Sequence, residues 1–261
     1  FIEDLDALPF VTEIYHRDLT MERYLIPYLR HPYVSIYTGR GCPSHCVFCL
    51  WPQTFTGHRY RVRSVDNVVA EVRRSLELFP QAAEIFFDDD TFTADGERAR
   101  QISRALAPLK CMWSATARVT TSYETLKAMK EGGCRLLVAG FETGDPQVLK
   151  NIRKGATLEL GRRFAKWCRE LGLQVHGTFM VGLPGETRES LEASIRFACE
   201  LDPDTIQVSL ATPYPGTEFY ELCLKKGYLQ SDSLVNGSTG YQQCVVEYPS
   251  LAAAEIFQAV P

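Results

Sequence analysis

The chain is predicted to be an α/β protein: a partial (β/α)6 parallel barrel, TIM-barrel-like, with an N-terminal linker and a short C-terminal extension. Three observations lead there. Six short apolar runs alternate with helical patterns between residues 33 and 216, and repeated β-α units build a parallel sheet with crossover helices. A doubly wound sheet has the same period, but six units in roughly 190 residues also fall short of a closed eight-unit barrel, which takes about 250 residues. Polar, acidic and glycine-rich segments follow the runs, at the strand ends where such folds place their sites.

In chain order, residues 1–32 read as a linker or lead-in. Leu5, Leu8, Phe10, Ile14, Tyr24 and Leu25 lie scattered among charges, and Pro9, Pro27 and Pro32 break any period. Strands are expected at Tyr33–Thr38, Glu84–Asp88, Cys111–Ala117, Arg135–Phe141, Gln174–Val181 and Thr205–Ala211. Helices are expected at Val65–Leu78, Asp95–Ala107, Ser122–Glu131, Leu158–Leu171 and Arg188–Glu200. Val68, Val69, Val72 and Leu76 recur at helical spacing, Ser64 and Ser122 suit N-caps, and Gly132-Gly133 and Gly172 suit helix stops. A further helix at Thr217–Lys226 opens a helical extension over 217–261, with a turn at Gly237–Gly240. The expected division is therefore 1–32 linker, 33–216 barrel and 217–261 extension. The start at Phe1 and the stop at Pro261 give the expectation of a fragment of a longer protein.

Composition narrows the class. The chain has 261 residues, 45% hydrophobic and 23% charged, with a net charge of −4. That charge gives no bulk attraction for nucleic acid. Of nine cysteines, Cys111, Cys134, Cys168, Cys199, Cys223 and Cys244 stand singly, which fits reduced thiols in a cytoplasmic protein. No apolar run reaches transmembrane length.

The remaining three cysteines carry chemistry. Gly41-Cys-Pro-Ser-His-Cys-Val-Phe-Cys49 follows the first strand and sets Cys42, Cys46 and Cys49 at C-x3-C-x2-C spacing. Three thiolates on one loop suit iron, and three ligands on a four-iron cube leave one iron open. A structural zinc site wants a fourth ligand, and His45 is awkwardly placed between Ser44 and Cys46 to supply it. Asp88–Asp90 and Glu142 end two other strands, where carboxylates accept from an amine and from hydroxyls; Lys154 suits a carboxylate. Glycines at Gly140–Gly144 and Gly182–Gly185 let backbone approach a flat group. An amine, a carboxylate, a ribose and a purine together describe S-adenosylmethionine. His45, His58 and His176 read as surface or satisfied side chains, with His176 alone placed to face a pocket. Trp51, Phe55, His58 and Tyr60 read first as packing residues, and second as a cover or substrate contact.

On these residues the sequence resembles the radical S-adenosylmethionine superfamily over about residues 33 to 216. The cysteine spacing with Phe48 before the last cysteine matches its signature. Phe86–Phe92, Gly140–Gly144, Gly182–Thr187 and Pro213–Thr217 further resemble the class B, cobalamin-associated branch, and within it the hopanoid-biosynthesis radical proteins. The resemblance implies a [4Fe–4S] cluster on Cys42, Cys46 and Cys49. It implies S-adenosylmethionine held by Phe48 and the Val181–Gly182 segment at adenine, by Asp89 and Asp90 at the amine, by Glu142 at the ribose and by Lys154 at the carboxylate. It assigns no catalytic side chain beyond these. It implies reductive cleavage to a 5′-deoxyadenosyl radical, an external one-electron reductant, and a small-molecule or lipid-linked substrate, with peripheral membrane contact open and no nucleic acid. Cobalamin would need a domain that this chain does not show, since the branch's Asp-x-His-x-x-Gly loop does not occur. Two other readings remain: a cobalamin-dependent radical methyltransferase, and a non-catalytic electron-transfer or zinc-structured protein.

Overall fold

A computed structural model of the chain describes residues 1–231, 233–234 and 243–260; the expected turn at Gly237–Gly240 lies outside them. The strands are β1 (Tyr33–Ile36), β2 (Gly39–Arg40), β3 (Arg61–Val62), β4 (Glu84–Phe87), β5 (Trp113–Ala117), β6 (Cys134–Glu142), β7 (Gln174–Val181) and β8 (Thr205–Leu210). The helices are α1 (Val11–Asp18), α2 (Val65–Leu78), α3 (Gly96–Leu106), α4 (Tyr123–Glu131), α5 (Pro146–Asn151), α6 (Leu158–Leu171), α7 (Arg188–Leu201), α8 (Glu218–Lys226) and α9 (Ala253–Gln258). Six strands form one sheet in the order β1-β4-β5-β6-β7-β8, and β2 and β3 form a separate antiparallel ribbon. With the ribbon set aside, strands neighbour one another in chain order, which is the expected (β/α)6 topology. β1 runs parallel to β4 with Tyr33 opposite Glu84, and β4 parallel to β5 with Ile85 opposite Trp113.

The local chemistry explains most boundaries. Ser64 caps α2 by accepting from Asn67 N, Ser122 caps α4 through Thr125 N, and Thr187 forms a capping box with Ser190 on α7. Gly132 ends α4, and Gly133 at φ +97° makes the turn into β6. Every residue of β4 is buried, as a parallel strand covered on both faces must be.

Two helices escape the sequence reading. Within the linker α1 forms although Phe10 offers no side-chain cap, and its eight residues are too few for a period to show. α5 is six residues long and is started by Asp145, which accepts from Gln147 N and Val148 N ahead of Pro146. α9, equally short, lies within the expected helical extension. The third strand begins at Trp113 rather than Cys111, beside a register shift between Trp113 and Ser114.

The chain divides into two compact units. The first comprises Phe1–Cys42, Arg59–Ala139 and Arg163–His176. Its core holds Phe87, Phe92 and Trp113, with Phe87 stacked on Phe92 at 5.3 Å and edge-on to Trp113. The second comprises Pro43–His58, Gly140–Arg162 and Gly177–Pro261. Val47, Leu149, Ile152, Leu183, Phe219 and Val246 are buried in its core. Among the described residues no helix is long and apolar enough to cross a membrane.

Candidate functional site

In the first unit the chain leaves β1 through Thr38, runs along β2, and reaches Gly41 and Cys42. The turn after β4 grips this stretch. Asp89, only 2% exposed, accepts from Thr38 N at 2.6 Å, Thr38 Oγ1 at 2.6 Å and Tyr60 OH at 3.1 Å. Asp90 accepts from Gly41 N at 2.7 Å, directly before Cys42. Arg98 of α3 completes the network, donating to Thr38 O, Arg63 O, Thr38 Oγ1 and Tyr60 OH at 2.7 to 3.3 Å. Thr116 Oγ1 donates to Asp89 O and accepts from Phe92 N, holding the turn from β5. A Cβ on Gly39 would lie 2.7 Å from the Tyr60 ring, so glycine there admits the tyrosine. Burial pushes the Asp89 carboxyl up, while the Thr38 bonds and Arg98 pull it back. Asp88 is half-buried, accepts from Tyr37 OH at 3.3 Å, and is likewise raised by burial.

These contacts give Asp89 and Asp90 an anchoring task that the sequence reading did not foresee. Tyr60, expected as packing or cover, and Arg98, not expected at all, belong to the same network. His176 is buried and stacks on Tyr28 at 4.0 Å.

The second unit carries Cys46 and Cys49. Their loop is fixed through its backbone. Val47 N donates to Ile152 O at 3.1 Å, Val47 O accepts from Phe219 N at 3.0 Å, and Cys49 N donates to Cys46 O at 3.2 Å. Phe48 is half-buried against this unit's core. A turn of π-helix, Trp51–Phe55, follows; such turns are frequent at functional sites. Trp51 and Phe55 are both exposed, 5.6 Å apart. His45 stacks on His58 at 4.1 Å, and His58 Nδ1 meets Ser44 O at 2.9 Å.

Glu142 and Lys154 are brought together as an ion pair, both largely buried. Glu142 has φ +67°, a left-handed conformation costly for a side chain of this kind. A Cβ on Gly140 would collide with Glu142 Oε1 and Lys154 Nζ. The third feature is Gly182, at φ +87°. Its N–H donates to Glu186 Oε2 and its carbonyl accepts from Tyr248 OH at 2.8 Å. Val181 before it is buried. Glu186 Oε1 is buried with no partner, and burial pushes the carboxyl up to about 7 against the pull of the Gly182 and Leu183 N–H groups.

Among the described residues no three His, Cys, Asp or Glu side chains are gathered as a single metal ion requires. No disulfide joins the cysteines. Within the second unit, two thiols, a strained carboxylate paired with an ammonium, a buried carboxylate oxygen without a partner and a glycine turn are donors of the kinds that suit iron–sulfur ligation and a zwitterionic nucleoside.

The profile of the Radical SAM superfamily matches residues 36–198. An uncharacterised methyltransferase of Pyrococcus horikoshii is 38% identical over 231 residues, 87% of this chain and 49% of that protein. The cytidylyl-2-hydroxyethylphosphonate methyltransferase of Streptomyces wedmorensis is 32% identical over 95% of this chain and 48% of that protein. The hopanoid C-3 methylase of Methylococcus capsulatus is 31% identical over 72% of this chain and 36% of that protein. The chain thus spans about half the length, or less, of these curated relatives. Among solved structures, the radical S-adenosylmethionine methyltransferase TsrM of Kitasatospora setae, with cobalamin and a [4Fe–4S] cluster bound, shares the fold. Its TM-score is 0.69 at 21% identity, over 86% of this chain and 46% of that one.

Proposed function

The chain belongs to the radical S-adenosylmethionine superfamily, and from that premise we propose that it is the cluster-bearing barrel of a cobalamin-dependent radical methyltransferase acting on a small molecule. The observation that carries the reading is the set of methyltransferases matching most of this chain while it spans about half of their length. That leaves room in a longer protein for a cobalamin domain, with residues 1–32 as the linker to it and 217–261 as a C-terminal extension. The superfamily's cofactors, a [4Fe–4S] cluster and S-adenosylmethionine, supply when bound a one-electron cleavage that releases a 5′-deoxyadenosyl radical.

Cys42, Cys46 and Cys49 would hold the cluster. Lys154 would bind the carboxylate of S-adenosylmethionine and Glu142 its ribose hydroxyls, each giving up part of its bond to the other. Val181, Gly182 and Phe48 would take the adenine. Asp90 and the half-buried Asp88 suit the amine better than Asp89, whose oxygens are occupied by Thr38 and Tyr60. Trp51 and Phe55 suit the acceptor molecule. The electron would come from an external reductant. The hopanoid methylase match supports a second reading, a lipid acceptor, with lower identity and coverage than the other two relatives.

The test is anaerobic loading of the full-length protein, then turnover with methyl-labelled S-adenosylmethionine. About four irons per chain, 5′-deoxyadenosine under reductant and label in an acceptor are expected, all lost in Cys46→Ala. Bound zinc, or a cluster whose spectrum ignores S-adenosylmethionine, overturns the enzyme reading. 5′-Deoxyadenosine without any transferred label overturns methyl transfer alone.

A further inference from the structure

We infer that Gln53 is a positioning residue for the cluster: its carboxamide ties the Cys46–Cys49 loop to the first turn of α8 and governs how firmly those cysteines hold iron. The inference rests on the reading that Cys46 and Cys49 are ligands. Gln53 Nε2 lies 3.2 Å from Cys46 O, 3.2 Å from Val47 O and 2.8 Å from Cys49 O. Its other end, Oε1, accepts from Glu218 N at 2.8 Å. The carboxamide is therefore committed at both ends.

The arrangement answers a local shortage. The four-residue turn Cys46–Cys49 is too short to pair most of its own carbonyls. The bond from Cys49 N to Cys46 O is the internal one it makes here. The start of a helix has the opposite shortage, since its first N–H groups lack acceptors. In α8 the Glu218 N–H goes to Gln53 and the Phe219 N–H goes to Val47 O. Gln53 thus passes the surplus donors of the helix to the surplus acceptors of the loop. Shifting its side chain would move the backbone of both ligands together, so its effect falls on cluster retention rather than on any reacting atom.

Four variants of the full-length protein test this. Gln53→Leu removes every bond. Gln53→Glu keeps one acceptor for Glu218 N but turns a second oxygen toward three carbonyls. Glu218→Pro leaves Gln53 in place and deletes the N–H it accepts together with the exposed pair with Arg153, at a first helical position that tolerates proline. Glu218→Ala keeps that N–H and loses only the exposed pair with Arg153. The readout is the rate at which a chelator strips iron from the anaerobically loaded protein, set beside the melting temperature of the apoprotein. Gln53→Leu and Gln53→Glu should lose the cluster about tenfold faster, the rate equivalent of one net hydrogen bond. Glu218→Pro should fall between, and Glu218→Ala should match the wild type. Apoprotein melting should change little. Should a Gln53 variant fail to fold, Glu218→Pro still reads the link. A wild-type protein that holds no cluster sinks the preceding reading and this inference with it. A wild-type protein that holds one, with Gln53→Leu, Gln53→Glu and Glu218→Pro unchanged in rate, sinks this inference alone.

Discussion

Buried carboxylates do different work in the two units. In the first, Glu84 accepts from Arg30 N, Ser114 Oγ and both Nε and Nη2 of Arg135. Glu71 accepts from Thr12 N, Thr12 Oγ1 and Arg63. Asp89 accepts from Thr38 and Tyr60. Each is surrounded by donors from its own chain, which is how a buried charge is made tolerable and how it fixes backbone. In the second unit, Glu186 keeps one oxygen buried without a partner, and Glu142 sits on left-handed backbone facing one lysine. Unsatisfied or strained groups cost stability and cluster at functional sites. In the first unit these carboxylates are committed to backbone and side-chain donors, while in the second Glu186 and Glu142 are left strained or with bonding capacity unused.

The largest effect should come from breaking a satisfied network. Arg98→Met would leave the Asp89 carboxylate without its counter-charge and strip Thr38 O and Arg63 O of a donor. Removing one partner of a buried charged network costs about 3–5 kcal/mol. Urea unfolding should show that loss. A variant destabilised by less than about 1 kcal/mol, the worth of a surface ion pair, would show the network to be an ornament of the fold.

That network also marks where sequence reading stops. The helices Val65–Leu78 and Leu158–Leu171 were legible to the residue, because fourteen residues carry a full apolar stripe. The cysteine triad stood out in the sequence because its three members lie within eight residues of one another. Arg98, Gln53 and Tyr248 were not, because their partners are not. Gln53 and Glu218 are 165 residues apart, and Tyr248 and Gly182 are 66 apart. No local spacing encodes those pairs. Asp89 was legible as a residue that matters but not in its task, since a strand-end carboxylate looks the same whether it faces a ligand or a threonine.

The unused capacity in the second unit should show as a pH dependence. Glu186 is raised from 4.5 to about 7 on folding. Between those values the folded chain keeps a proton that the unfolded chain has shed, so stability falls as pH rises from about 4.5 to about 7 and stays reduced above that. A shift of that size amounts to about 3 kcal/mol. Glu186→Gln removes the titration. The difference in unfolding free energy between variant and wild type should therefore shift in the variant's favour by about 3 kcal/mol across this window. Asp88 and Asp89 titrate in both proteins and cancel in the difference. A flat difference curve would mean that the orphaned oxygen is satisfied in solution.

A smaller effect, on binding rather than stability, should follow from Gly140→Ala. The added methyl would push the Glu142 and Lys154 heads apart, and both are flexible enough to yield. The fold should survive and the iron content should not change. Affinity for S-adenosylmethionine, measured by calorimetry on the loaded protein, should fall about tenfold, the worth of one displaced charged contact. Unchanged affinity would remove Glu142 and Lys154 from the binding set while leaving the cysteines in it.

The smallest effect calibrates the others. Ser64 caps α2 in the first unit, accepting from Asn67 N at 3.2 Å in an exposed position. Ser64→Ala should cost about 1 kcal/mol of stability. It touches neither the turn that grips Cys42 nor any group of the second unit. Its melting temperature should drop while its affinity for S-adenosylmethionine stays at the wild-type value. Gly140→Ala should do the reverse, losing affinity at nearly constant melting temperature. If Ser64→Ala also weakened cofactor binding, general loss of stability would account for both variants, and the Glu142–Lys154 pair would lose its claim to a separate role. Opposite behaviour of the two variants would separate a loss of stability from a loss of ligand contact at the Glu142–Lys154 pair.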